Sequence, residues 1–192
     1  MISNIILGLA SLYFYNLLRN KNKLWAFFFL AMSLAAFIGG IYHGYPESGN
    51  IARFISWAFL STALFFAQWA VFRNKTTTLL LIFFLLKGIT LLLLAIIYVD
   101  FVYLIIDSII SMLGFVFIGN LIFIKESYKL INIGISVSII SAIISQMKIT
   151  IDPDYLTYND IGHYITIISF LLIARGISKL EDESCAEDRI SN

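Results

Sequence analysis

Charge is scarce in this chain. Of its 192 residues only 13% are Asp, Glu, Lys or Arg, and they balance to a formal +1. Soluble domains carry about 25% charged residues, so an ordinary water-soluble domain is excluded. With no basic surplus for phosphate backbones, a nucleic-acid binder is excluded as well. The single cysteine, Cys185, lies in a polar C-terminal stretch, so no internal disulfide can form. Two prolines and eleven glycines are too few for collagenous or low-complexity material. Polar–apolar alternation is missing too. Leu79–Leu86 and Leu91–Ile97 are apolar throughout, which argues against a transmembrane β-barrel.

What the chain has is apolar length. Hydrophobic residues make up 60% of it and the mean hydropathy is +0.90. A bilayer core of about 30 Å needs roughly 20 apolar residues per helix. Seven segments satisfy this approximately, at 2–18, 24–44, 52–72, 78–98, 101–124, 130–147 and 161–177. The expected fold is an all-α, integral-membrane bundle of seven helices over 1–180. A short acidic tail, 181–192, is expected to be disordered and solvated. The first segment has its basic residues after it, at Arg19, Lys21 and Lys23, and lacks a small-residue cleavage site. It is therefore expected to stay as a helix and not to be cleaved as a signal peptide.

Lysine and arginine in short loops orient such a bundle. Arg19, Lys21, Lys23, Arg73, Lys75, Lys125, Lys129, Arg175 and Lys179 fall on one side, and only Arg53 and Lys148 on the other. The first side is expected to be cytoplasmic, with the N-terminus outside and the C-terminus inside. An odd number of spans agrees with this. The host is expected to be a bacterial inner membrane or another cell membrane. Both prolines, Pro46 and Pro153, fall in outer loops. The interrupted, repeated helices of many transporters are thus missing, and the few polar residues gather at one face.

Ionisable residues inside a membrane each need an explanation. The chain's two histidines, His43 and His163, both fall at the outer face, near Glu47, Asp100, Asp152 and Asp154 in outer loops. Asp160 and His163 are three apart and share a helical face. They read as a metal ligand or base with its orienting carboxylate. They read equally as a helix start in which Asn159 or Asp160 caps the backbone. His43 follows Ala35 and Gly39 on one face, beside Ala36, Gly40 and Gly44 on the next. Small residues four apart allow close packing, so its imidazole belongs to a seam, as a ligand or as an interfacial hydrogen-bonding group. Lys87 and Asp107 lie about 16 Å and 9 Å deep at 1.5 Å per residue. Such charges demand pairing or neutralisation, although Asp107 could join the outer cluster instead. Gly134, Ser138, Ser141 and Ser145 form a stripe expected to pack against a neighbouring helix.

Seven helices, an outer N-terminus, Gly39-Gly40-Ile41-Tyr42-His43-Gly44 ending the second and Asn159-Asp160-Ile161-Gly162-His163 opening the seventh resemble the alkaline ceramidase and adiponectin-receptor superfamily of membrane hydrolases. In that pattern the second helix carries Ser-x-x-x-His, the third an Asp and the seventh His-x-x-x-His, and three histidines hold zinc. The resemblance implies that His43 and His163 are zinc ligands. Gly39 stands where the serine belongs and Asn159 where the first histidine of the seventh helix belongs. The third segment has no Asp; its polar residues include Ser56, Ser61, Thr62 and Gln68. A catalytic zinc normally takes three protein ligands and a water. The third would then be a carboxylate, with Asp160, Asp107 and Glu47 the candidates in that order, and Asp107 otherwise a group that orients a ligand, or a base.

Two main readings follow. One is a zinc-dependent hydrolase acting on a lipid amide or ester, with Asp160 and Asp107 in catalytic roles. The other is a relative that binds lipid or a partner in the same cavity without chemistry. A small transporter is a further alternative. A retinal protein is disfavoured, because the basic residues of the seventh segment, Arg175 and Lys179, sit at its inner end. The hydrolase reading requires the second and seventh helices to present both imidazoles to one hollow.

Overall fold

The computed structural model describes residues 2–45, 49–73, 77–123, 126–152 and 156–191, with side chains described as far as 183 apart from those of 123 and 126. Pro46, Glu47, Lys75, Lys125, Pro153 and Asp154 lie outside the described residues. Long apolar runs without proline satisfy their backbone groups internally, as a membrane requires, and the result is helical throughout. The elements are α1 (Ile2–Leu18), α2 (Lys23–Gly44), α3 (Gly49–Phe72), α4 (Thr78–Tyr98), α5 (Val102–Ser108), a π-helical stretch (Ile109–Phe117), α6 (Ile118–Phe123), α7 (Glu126–Gln146) and α8 (Tyr158–Ser191). The stretch from α5 through α6 is one continuous rod, the fifth.

Among the described residues, six helices are long and apolar enough to cross a membrane. They run from α2 to α8, with Val102–Ile122 as one span. α1, of 17 residues, is the shorter apolar helix beside them. Consecutive rods pack as neighbours and α8 closes back onto α1. α3 also packs on the fifth rod. α4 therefore sits outermost, with Leu79, Phe83, Leu86 and Leu93 exposed as a lipid-facing flank would be. The two ends of the bundle differ. One carries His43 and His163; the other carries most of the lysines and arginines.

Local chemistry sets the boundaries. Asn22 caps α2 by accepting from Trp25 N–H at 3.3 Å, and Thr77 caps α4 by accepting from Leu80 N–H at 3.4 Å. α4 ends at Val99, whose φ of 52° is left-handed, and Asp100 N–H reaches back to Ala95 O at 3.1 Å. Asp100 then accepts from Val102 N–H at 3.0 Å and starts α5. α8 begins with a capping box. Asp160 N–H donates to Thr157 Oγ1 at 3.4 Å, and Asp160 Oδ2 accepts from Thr157 N–H at 3.1 Å. The cap is therefore Thr157, two or three residues before the expected Asn159 or Asp160, and Asp160 stands in the first turn as the other half of the box.

Two further expectations are corrected. α7 starts at Glu126, before the predicted 130, because helix formation does not require the first turn to be apolar. The stretch after Leu180, expected to be a loose tail, continues α8 to Ser191. Once a helix is nucleated, Lys, Leu, Glu and Ala extend it at little cost. Its acids are also held. Asn22 Nδ2 donates to Glu181 at 2.7 Å, Lys21 pairs with Asp182 at 3.0 Å and Ser127 Oγ donates to Glu183 at 2.8 Å.

The core is aromatic near the basic end. The Phe28 and Phe29 rings of α2 meet Phe170 of α8 edge-on at 5.6 and 5.4 Å, and Phe14 of α1 lies 5.4 Å from Phe29. The predicted stripe on α7 is a packing seam. Ser141 Oγ donates to Gly162 O at 2.7 Å, and Ser169 Oγ donates to Gly134 O at 2.8 Å. Ser127, Gly134 and Ser141 stand opposite Gly176, Ser169 and Gly162, so a serine faces a glycine at each level.

Candidate functional site

At the histidine end, α1 lies against both α2 and α8, and this decides what the imidazoles meet. His163 Nδ1 shares a 3.0 Å hydrogen bond with Ser3 Oγ of α1. Asp160 Oδ2 accepts from Thr157 Oγ1 at 2.7 Å. His43 is exposed, its ring 5.1 Å from the neighbouring Tyr42 ring. Gly39, in the position of the superfamily's serine, is crowded. An added Cβ would stand 3.2 Å from Ser56 Oγ and 3.6 Å from Asn4 Oδ1. Ser56 places a hydroxyl there but donates it to Ala35 O at 2.8 Å.

Among the described residues, no three His, Cys, Asp or Glu side chains converge on a common point. Ser3 takes the Nδ1 edge of His163 and Thr157 takes Asp160, and Glu47 lies outside the described residues. Ser3 was not legible as a partner, because no spacing along a helix encodes a contact across the bundle. The Thr157-x-x-Asp160 spacing is a capping signature, and it carries the helix-start reading that the sequence left open for Asp160.

Asp107 belongs to a different cluster. Its carboxylate accepts a short, charge-assisted hydrogen bond from Lys87 Nζ of α4. Ser111 Oγ donates to it at 3.2 Å and Ser61 Oγ of α3 at 3.4 Å. Lys87 Nζ also donates to Ser111 Oγ at 2.6 Å. The Asp107 side chain is 0% exposed and that of Lys87 10%. Gly88 lets Ser61 in, since a Cβ there would stand 3.1 Å from its hydroxyl. The pairing expected from depth alone is thus present and ties α3, α4 and the fifth rod together. Asp107 therefore pairs with Lys87 and does not take the alternative place expected for it in the outer cluster.

A cavity lies elsewhere in the bundle. Of about 520 Å³, it opens between α5 with its π-helical continuation, α7, α8 and α3. Its volume falls in the range of small-molecule sites, about 300–1,000 Å³. Phe28, Leu64, Met112, Ile139, Phe170 and Ile173 are among the residues that line it. Among the described lining residues none is ionisable; the polar ones are Ser108, Ser138, Ser141, Gln146 and Thr166. α7 meets the fifth rod through the π-helical stretch and α6 and stands off from α5. Ile109 and Ile143, which both line it, are half-exposed, so the cavity is open to the surface of the bundle. Each π turn takes an extra residue and re-aims the side chains that follow. Here Ser111 is directed to Lys87, while Ile109, Met112 and Leu113 face the cavity.

Fold and composition together define a multi-pass helical membrane protein. Residues 1–182 match the model of DUF6962, a family of unknown function, and the chain belongs to that family. No curated protein and no solved structure matches it.

Proposed function

We propose that this is a seven-span membrane protein, with its N-terminus on the extracytoplasmic side, that binds a single lipid chain in the cavity between α5 and α7. The observation that carries this reading is the cavity itself: an apolar hollow of ligand size that is open to the surface of the bundle. The stretch Ser138–Met147 that borders it rises about 14 Å at 1.5 Å per residue. That is roughly half of a 30 Å hydrocarbon core, the depth of one leaflet. Three methionines, Met32, Met112 and Met147, line the space, and such unbranched side chains adapt to a flexible guest.

Filling the hollow tests the reading. In nanodiscs, a long alkyl chain bearing a terminal diazirine is expected to label peptides of α5, the π-helical stretch and α7. Ile139→Trp and Met112→Trp, on opposite walls, are each expected to reduce that labelling severalfold while leaving the thermal midpoint of the protein near wild type. Labelling spread evenly over α4 and the other lipid-facing surfaces, and unchanged in both variants, would sink the proposal. The orientation has its own reporter in the sole cysteine. A membrane-impermeant maleimide is expected to modify Cys185 in inverted vesicles and not in sealed, right-side-out ones. The reverse pattern would turn the bundle over.

A further inference from the structure

The cavity's polar groups share one chemical property. Ser108 Oγ donates to Leu104 O at 2.8 Å and Ser138 Oγ to Ile135 O at 2.6 Å, each within its own helix. Ser141 Oγ and Thr166 Oγ1 both reach Gly162 O, at 2.7 and 2.8 Å, and lie 3.0 Å from one another. A hydroxyl has one proton and two lone pairs. Here the protons are directed to helix carbonyls, so what remains for a guest is acceptor capacity. Gln146 is an exposed rim residue whose amide both donates and accepts, and so does not discriminate. Among the described lining residues there is no lysine, arginine or histidine to balance an anion and no carboxylate to balance a cation.

We infer that the cavity selects a neutral, single-chain lipid whose head donates hydrogen bonds, a long-chain alcohol or a monoacylglycerol, over one whose head is charged or only accepts. The inference rests on the lipid-binding reading above and adds the head-group chemistry. A hydroxyl head entering the hollow can donate to Ser108, Ser138 or the Ser141–Thr166 pair while its chain fills the apolar remainder. A carboxylate there would face lone pairs with no cation beside it and would lose its hydration uncompensated. A methyl ester has the same chain and no charge, but no proton to give.

The test is competition against the diazirine chain in nanodiscs, with a long-chain alcohol, its methyl ester counterpart and the corresponding carboxylate at alkaline pH. The alcohol is expected to compete about tenfold better than either comparator, the effect of one or two net hydrogen bonds. In the Ser108→Ala, Ser138→Ala double variant, whose lost bonds lie within single helices, the preference is expected to shrink severalfold while the ester and carboxylate are unaffected. Thr166→Val gives a second variant on another wall. If all three probes compete equally, or the double variant keeps the full preference, the head-group inference fails while chain binding stands. If no probe competes and the diazirine chain itself does not label the cavity, both fall.

Discussion

Asp107→Asn is expected to destabilise the protein by about 3–5 kcal/mol, the usual cost of removing one partner of a buried ion pair. The reason lies in what is left behind. Lys87 sits within the α4 span with its side chain only 10% exposed. In the variant its ammonium keeps the Ser111 hydroxyl and a neutral amide oxygen, and its charge is left unbalanced unless the side chain swings outward. The converse change, Lys87→Met, leaves a carboxylate that is 0% exposed with only the hydroxyls of Ser61 and Ser111 beside it. Replacing both together, Lys87→Met with Asp107→Asn, is expected to recover most of the loss, because no charge then remains buried. Thermal midpoints of all four proteins in one detergent form a double-mutant cycle. Wild-type stability in Asp107→Asn would show that the pair contributes nothing.

The second large effect is expected at the α7–α8 seam. Gly134→Ala should cost roughly 1–3 kcal/mol, the range for overpacking a filled interface, even though alanine is the better helix former. An added Cβ at 134 would stand 2.8 Å from Ser169 O, a backbone atom that cannot turn aside, and 2.7 Å from Ile173 Cγ1. Gly114→Ala is the control, since nothing lies within 4 Å of a Cβ there; helix propensity alone should make it neutral or slightly stabilising. Measured in the same detergent, the two substitutions should have opposite signs or differ by more than a kilocalorie. Equal midpoints would mean that the seam relaxes freely.

Much of this architecture is readable in the sequence, for a physical reason. Apolar length at bilayer scale and the rule that backbone polar groups be satisfied within lipid leave few alternatives to helices. The Gly134–Ser145 stripe and the Lys87–Asp107 pair were visible because each is an exception to uniform hydrophobicity, and exceptions in lipid need partners. What was not readable is which partners lie across the bundle. His43 and His163 share an end, but Ser3 of α1 takes the His163 ring, and no spacing within α8 encodes that contact. The cavity left no trace in the sequence either. Phe28, Met112 and Ile139 look like any lipid-facing residues, and only the standing-off of α5 from α7 makes them a lining. The continuation of α8 past Leu180 was missed because acidity was read as solvation, whereas Glu181, Asp182 and Glu183 each hold a polar partner at the basic end.

The docking of α1 against both α2 and α8 bears on how the chain is made. α1 is 17 residues long and buries Ser3, Asn4 and Ser11, so it is a marginal guest of the bilayer by itself. α2 emerges from the ribosome directly after it and covers one flank. The other flank waits for α8, which follows α7 in the chain. Closure onto α8 therefore comes well after α1 and α2 have paired, and a nascent chain stalled before residue 158 would hold α1 by one side only.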